Sequence, residues 1–211
     1  SKSITTAQKR VEGLNFDTRK TLLDYDDVLR QQRETMYAQR NYILENEDVH
    51  SVVETMFKRV AKSVADNYTI QDGKKTSIDD EGIMKELHNM GITSFIDNND
   101  FKNKDNLEVQ DAIFDDMWNF YNHKIEPVKE QFLPIEKTMV LRTIDRAWVG
   151  HIDTMDKLRN GIGLRSYAQN NPLQAYVEEG FGLFEEMMNN ISRDLVNFCL
   201  RIKIIIKERQ K

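Results

Sequence analysis

The chain has 211 residues, with 30 Lys and Arg against 35 Asp and Glu, and therefore a formal net charge of −5 at pH 7. Charged residues make up 31% of it, whereas glycines number 9 and prolines 3, which favours long helices with polar faces over a β-sandwich or barrel. The acidic balance argues against a general nucleic-acid binder, because phosphate contacts need a clustered surplus of basic residues.

Neither a membrane span nor a disulfide is expected. The nearest candidate span, residues 199–206, is interrupted by Arg201 and Lys203, so nothing reaches the about 18 apolar residues that cross a bilayer. Residues 1–10 lack an apolar stretch, so we expect no signal peptide. The single cysteine, Cys199, can form neither an internal disulfide nor a thiolate zinc site, which fits a reducing compartment.

The first predicted element is one long helix over residues 1–46. Apolar and small side chains recur there in steps of three and four, and no proline interrupts them. The stripe consists of Ala7, Val11, Leu14, Thr18, Leu22, Tyr25 and Leu29, followed by Met36 and Ile43. A helix of about 45 residues would extend roughly 65–70 Å at 1.5 Å per residue, so it is expected to act as a scaffold for other elements.

Residues 47–132 are predicted to form a small subdomain of shorter helices. An apolar pattern indicates a helix over residues 49–68, which a turn sequence then ends. Ser77 is the predicted N-cap of a short helix that stops at Gly91. A further helix should bend or end near Pro127, because proline removes a backbone donor.

Residues 133–211 are predicted to form two antiparallel helices joined by a short connection. Pro134 suits the first turn of the first helix, and the stripe of the second helix begins at Val177. Two glycines are expected to end the first helix, and an N-cap followed by proline to start the second. The residues in these roles at the tip are Gly161, Gly163, Asn171 and Pro172.

The sequence predicts no metal or nucleotide site. His50, His88, His123 and His151 lie far apart, and none has a His or Cys at i+3 or i+4 to share a metal. Residues 161–163 lack the third glycine of a dinucleotide fingerprint and the Gly-Lys-Ser/Thr of a Walker loop. We therefore expect no cofactor and no catalytic residue in this chain.

An acidic run lies on the long helix at residues 24–27. Asp24 and Asp27 share a helix face, but basic residues within two turns favour a solvated ion-pair network over a catalytic carboxylate pair. A contact surface for a neighbouring domain is compatible with the same residues. The members of this candidate interdomain contact are Arg19, Asp24, Tyr25, Asp26 and Asp27.

The predicted tip carries side chains suited to contact with a partner, namely Arg165, Tyr167 and Gln169. The tyrosine has an apolar ring and a hydroxyl, so it can contact a partner chain without demanding one sequence. The alternative is that Tyr167 packs back onto the helices while the neighbouring amides satisfy the turn backbone. Both interpretations stay open on the residues alone.

These motifs together resemble the SecA family of bacterial preprotein translocase ATPases. The segments AQKRVE, NFDTRK and LDYDDV within residues 7–28 resemble the family's long scaffold helix, and LRTIDRAW at residues 141–148 resembles its two-helix finger. The resemblance predicts an all-α fold with a long scaffold helix at 1–46, a helical wing domain at 47–132, and a finger that completes the scaffold at 133–211. The wing resembles the family by position more than by motif.

The resemblance implies a noncatalytic fragment of an ATP-driven motor. Nucleotide-binding domains and a preprotein cross-linking domain would belong to the same chain, and the parent would use ATP and Mg²⁺ to move unfolded preproteins through the SecYEG channel. The finger would contact preprotein and channel through Tyr167 and would restrain ATPase activity. The implied location is the cytoplasm, in peripheral association with the bacterial inner membrane.

Other interpretations stay open. A stand-alone helical adaptor that binds a protein partner would show the same elements, and an enzyme using Asp24 and a distant histidine is a weaker rival. A homodimer is a further candidate partnership. The basic end, with Arg201 and Lys203 beside isoleucines, either contacts anionic lipid or continues the second finger helix as a solvated basic end.

Overall fold

The computed structural model describes residues 2–73, 75–94, 101, 103–165 and 171–205, with the backbone alone at 75 and 165. These residues form helices and one short two-stranded sheet, so the predicted all-α fold is confirmed with one small addition. In chain order the elements are α1 (Lys2–Glu45), α2 (His50–Asn67), β1 (Thr69–Asp72), β2 (Lys75–Ile78), α3 (Asp80–Met90), α4 (Asn106–Ile125), a 3₁₀ helix (Glu126–Val128), α5 (Lys129–Arg165) and α6 (Pro172–Arg201).

The chain divides into two compact units. The first comprises Ser1–Tyr42 and Arg146–Met187, and the second comprises Ile43–Asp145 and Met188–Lys211. Helices α1, α5 and α6 therefore each contribute residues to both units. The domain limits predicted at 46/47 and 132/133 divide the chain into consecutive segments, whereas each compact unit combines two separate stretches. Those limits stay predictions. No helix within the described ranges is long and apolar enough to cross a membrane.

Helix α1 has 44 residues, which confirms the predicted long helix. Its predicted stripe behaves differently along its length. Tyr25 and Leu29 pack against the other helices of the first unit. Val11, Leu14 and Leu22 are 56%, 61% and 50% exposed. The first half of the stripe is therefore an open apolar face among the described residues.

The second unit is built around α2 and α4. Phe57 on α2 stacks on Tyr121 of α4 with ring centroids 5.3 Å apart, and Trp118 meets Phe57 edge-on at 5.1 Å. Such aromatic contacts add to the burial of apolar area. The predicted end of α4 near Pro127 is confirmed, because the 3₁₀ helix that contains this proline follows it.

The ends of α3 show one confirmed prediction and one error. Gly91 ends the helix in a left-handed conformation with φ 108°, as the sequence predicts. The N-cap is Asp79, whose carboxylate accepts from the backbone N–H of Gly82, and not Ser77. Ser77 lies in β2 and pairs with Ile70 of β1, so its backbone is already engaged in a strand.

The strands form a tight hairpin that the sequence did not reveal. Asp72 pairs with Lys75, so two residues connect the strands, and the first of them, Gly73, has φ 62°. A positive φ at this position is typical of two-residue hairpin turns. Strands of four residues carry too short an alternating pattern to be predicted beside a long helix.

Both predicted ends of α5 are wrong. The helix begins at Lys129, so Pro134 lies inside it and removes one i→i−4 hydrogen bond. At the other end the helix continues through Gly161 and Gly163 to Arg165, and neither glycine has a positive φ. These glycines are therefore part of the last helical turns and do not form the turn at the tip.

Ile162 explains why the helix continues past the two glycines. Its side chain is fully buried in the core of the first unit, beside Met155 and Tyr176. Burying an isoleucine side chain contributes about 1.5–3 kcal/mol, which offsets the roughly 1 kcal/mol that each helical glycine costs relative to alanine.

Helix α6 ends at Arg201, so the predicted continuation of the second finger helix through the basic end is wrong for the described residues. The guanidinium of Arg201 donates to the backbone carbonyl of Asn89 at the end of α3. Lys124 donates in the same way to the carbonyl of Leu200. Both cations satisfy carbonyl groups at helix ends.

Candidate functional site

The candidate site is the helical hairpin of the first unit, formed by α5 and α6 lying against α1. Met155 of α5 lies beside Gly180 of α6, and His151 lies beside Phe184, with ring centroids 5.8 Å apart. From the Met155–Gly180 contact to the His151–Phe184 contact, the residue number falls by four on α5 and rises by four on α6. The two helices therefore run antiparallel, as the sequence predicts.

An aromatic and ionic contact joins α1 to the hairpin. The Arg159 guanidinium of α5 donates from Nη1 to Oδ1 of Asp26 at 2.8 Å and lies 5.4 Å from the ring centroid of Tyr25. The Tyr25 ring contacts that of Tyr176 on α6, with centroids 4.9 Å apart. One turn of α1 thus contacts both helices of the hairpin.

A buried apolar cluster underlies this contact. Its fully buried members come from both hairpin helices, and α1 supplies partly buried residues that cover it. Burial raises the pKa of the Tyr176 hydroxyl, so it stays neutral. The cluster consists of Met155, Ile162 and Tyr176, with Tyr25, Val28, Leu29, Leu158, Ala175 and Leu183 around them.

A buried amide makes a second connection between the three helices. Gln32 of α1 donates from Nε2 to the carbonyl of Gly180 at 3.1 Å, and its Oε1 lies 2.7 Å from Nε2 of His151. The imidazole also contacts Trp148, with ring centroids 5.6 Å apart. Burial lowers the pKa of His151, which favours a neutral ring.

The predicted interdomain residues differ in what they contact. Tyr25 and Asp26 contact the hairpin, as described above. Asp27 accepts from the guanidinium of Arg30 on the same helix, which agrees with the predicted ion-pair network. Arg19 is exposed and Asp24 is half-buried. Their role as an interdomain contact stays a prediction.

The tip of the hairpin falls largely outside the described residues. Tyr167 and Gln169 lie in the undescribed segment, and the side chain of Arg165 is not described either. On the α6 side, Oδ1 of Asn171 accepts from the backbone N–H of Gln174 at 3.2 Å, and α6 begins at Pro172. The predicted start of this helix is confirmed.

Gln32 and Gly180 were missed by sequence reasoning, although a signal for Gln32 exists. The residue lies three positions after Leu29 and four before Met36, so it occupies a position of the apolar stripe on α1. A polar residue at such a position is expected to be buried with a hydrogen-bond partner. Which partner it finds depends on tertiary packing and cannot be read from the spacing.

A second buried polar cluster lies in the second unit and centres on Glu136. This side chain is 0% exposed and accepts from the Tyr121 hydroxyl at 2.7 Å and from His50 Nδ1 at 3.0 Å. Asn122 donates from Nδ2 to the Trp118 carbonyl, so its Oδ1 faces His50 Nε2 at 3.1 Å.

Both ring nitrogens of His50 therefore face oxygen acceptors, an arrangement that suits the doubly protonated ring. The Glu136 carboxylate raises the pKa of His50 accordingly. Since the cluster joins α2, α4 and α5, we interpret it as structural. Among the described residues, no three His, Cys, Asp or Glu side chains could together hold a metal ion.

A long helix that carries a helical hairpin, with further helices inserted between the two in sequence, defines a helical scaffold domain with an insertion. The family model described as the SecA Wing and Scaffold domain matches residues 1–203. The chain belongs to this family, which confirms the resemblance found in its motifs.

Relatives in three clostridia agree with this assignment, and each is named protein translocase subunit SecA. The relative from Clostridium kluyveri is 40% identical over 209 residues, covering 97% of this chain and 25% of its own length. Those from Clostridium botulinum strain Okra and Clostridium perfringens strain ATCC 13124 are each 37% identical, covering 97% and 100% of this chain. The chain spans about a quarter of the length of these relatives.

Proposed function

We propose that the chain is the noncatalytic scaffold, wing and two-helix finger of a SecA-type motor that moves preproteins through the SecYEG channel. The observation that carries the proposal is the hairpin anchored on α1 by Asp26–Arg159 and Tyr25–Tyr176, in a chain that the wing and scaffold family matches over residues 1–203. In this proposal the remaining three quarters of the motor hold the nucleotide-binding and preprotein cross-linking domains, which bind ATP and Mg²⁺.

The open apolar face of α1 supports the existence of such neighbouring domains. Ile4, Val11 and Leu14 lie in its first half with 61%, 56% and 61% of their surface exposed. Apolar residues that recur at helical spacing over several turns are normally covered. We assign the cover to the other domains of the same chain, with Arg19 and Asp24 at the edge of that contact.

In the motor, the tip of the hairpin would contact the translocating preprotein and the channel through Tyr167, Arg165 and Gln169. Two helices packed on a third provide a stiff support, so force on the tip passes to α1 rather than bending the hairpin. The same contacts would allow the hairpin to restrain ATPase activity. The motor would act in the cytoplasm at the inner membrane, with anionic lipid and a second copy as further partners.

Replacing Tyr167 by alanine in the complete motor tests the finger. The rate of preprotein translocation should fall several-fold at saturating ATP, whereas Tyr37→Ala, at an exposed tyrosine of α1, should leave it within about twofold. An unchanged rate in Tyr167→Ala would contradict the proposed contact.

The rival function, a stand-alone helical adaptor, makes a different prediction for the gene. A motor requires a Walker loop upstream of this chain, and an adaptor does not. The relatives, which are about four times as long as this chain, favour the motor.

A further inference from the structure

The connection through Gln32 has a fixed direction. A backbone carbonyl can only accept, so the Gly180 oxygen requires the NH₂ group of Gln32, whose Nε2 lies 3.1 Å away. The amide oxygen must then face His151, where Nε2 lies 2.7 Å from it. An amide oxygen is also only an acceptor, so His151 carries its proton on Nε2.

Both side chains in this connection are buried, with Gln32 9% and His151 4% exposed. Water does not replace a partner that a buried amide loses, so an unmade hydrogen bond is costly here. Because one amide group makes both hydrogen bonds, its orientation determines both together. The rings of Trp148 and Phe184 flank the imidazole. The connection therefore lies in an apolar environment where its geometry is strongly preferred.

Gly180 also leaves room for the end of Met155 beside this contact. A methyl group built on it would lie 2.8 Å from Cε of Met155 and 3.9 Å from Nε2 of Gln32. The methyl would therefore force the end of Met155 on α5 to move, whereas its distance to the Gln32 amide is that of an ordinary van der Waals contact.

We infer that Gln32 is the positioning residue of the hairpin, and that its amide, held between the Gly180 carbonyl and the His151 ring, sets the register of α5 and α6 on α1. Apolar contacts such as those of Tyr25 and Leu29 are nondirectional and tolerate sliding. A buried amide with one donor contact and one acceptor contact is satisfied in a single register. This positioning role does not depend on the proposed function. Only the effect that we expect of Gln32 variants on translocation rests on it.

The ring of His151 provides the first test, in nitrogen-edited NMR spectra of the 211-residue chain. Wild type should show the tautomer protonated at Nε2. Gln32→Glu places a carboxylate beside that nitrogen and should raise the pKa of His151, whereas Gln39→Glu, at an exposed glutamine one heptad further along α1, should not. The Nδ1-protonated tautomer, or an unchanged pKa in Gln32→Glu, would overturn the inference.

A distance measurement tests register and does not depend on a folded Gln32→Glu variant. Spin labels are attached to cysteines introduced at Thr35 of α1 and Glu178 of α6, both exposed. Pulsed electron paramagnetic resonance then measures the distance between the two labels. Native Cys199 should stay unlabelled, since burial raises the pKa of its thiol to about 12.

Gln32→Leu should shift or broaden the distance distribution by on the order of one helical turn, about 5 Å, and Gln39→Leu should not. Identical distributions in the two variants would overturn the positioning role. In the complete motor, Gln32→Leu should also slow translocation more than Gln39→Leu. If the NMR and distance results hold while translocation is unchanged, the positioning role stands and the proposed function of the finger is contradicted.

Discussion

Asp26 of α1 and Arg159 of α5 form an ion pair across 2.8 Å, although 133 positions of sequence separate them. The pair is partly exposed, and the guanidinium also lies over the ring of Tyr25. It is the charged part of the contact that holds the hairpin on the scaffold helix.

Removing the charge of Arg159 should weaken this contact only modestly. Arg159→Met keeps most of the stem and should lower the free energy of unfolding by about 0.5–1 kcal/mol, the range for an exposed ion pair with a cation–π contact. A double-mutant cycle with Asp26→Asn, followed by urea unfolding at low and high salt, measures the coupling. Lys157→Met, which loses only a pair within α5, is the matched control and should show no coupling to Asp26.

Two glycines two positions apart on α6 should respond differently to alanine. Gly182 has open space around it, so Gly182→Ala should raise the free energy of unfolding by about 0.5–1 kcal/mol through helix propensity. At Gly180 the added methyl crowds buried Met155, so Gly180→Ala should be at least about 1 kcal/mol less favourable than Gly182→Ala. Equal effects in parallel denaturant titrations would show that the close approach is unimportant.

The helical conformation of Gly161 can be tested by the same substitution. Gly161→Ala should stabilise the chain by about 0.5–1 kcal/mol, since the site is helical and nothing lies within 4 Å of an added methyl. Gly91→Ala is the contrasting variant and should destabilise by about 1 kcal/mol or more, because the φ of Gly91 is 108°. Destabilisation by Gly161→Ala would instead support the prediction that Gly161 lies in a turn.

His50 and His151 should contribute opposite pH dependences to stability. Because Glu136 raises the pKa of His50, its contribution is complete below the unfolded value, near 6.5, and is lost as pH rises through the folded value. The lowered pKa of His151 has the opposite effect, so its neutral form stabilises above the unfolded value and this contribution is lost as pH falls.

An NMR titration should therefore show the pKa of His50 raised above the ordinary histidine value and that of His151 lowered below it. Glu136→Gln should lower the pKa of His50 and leave that of His151 unchanged, which makes the second histidine an internal control. A His50 pKa that does not respond to Glu136→Gln would contradict the ion pair.

Helical periodicity predicted the long elements because their buried faces repeat over many turns. The 44 residues of α1 and the antiparallel α5 and α6 followed from spacing alone. Local signals at helix ends were less reliable. Asn171 and Gly91 have the predicted capping roles. Gly161 and Gly163 do not end α5 as predicted, because the burial of Ile162 between them stabilises the helix there.

The polar contacts of the candidate site were only half predictable. Gln32 of the candidate site stands within the stripe of α1, and in the second unit Glu136 lies four residues, about one helical turn, before the buried Val140 of α5, so their burial could be inferred. Their partners could not, because Gln32 meets Gly180 across 148 positions of sequence. Such pairings depend on how the helices pack, which no local pattern encodes.

The most direct measurement of the central claim is cross-linking at the tip of the hairpin. A photoreactive amino acid replaces Tyr167 in the complete motor while a preprotein is held midway through the channel. We predict cross-links to the preprotein from position 167 and none above background from position 37, an exposed tyrosine of α1. Equal yields from the two positions would contradict the claim that the finger contacts the translocating chain.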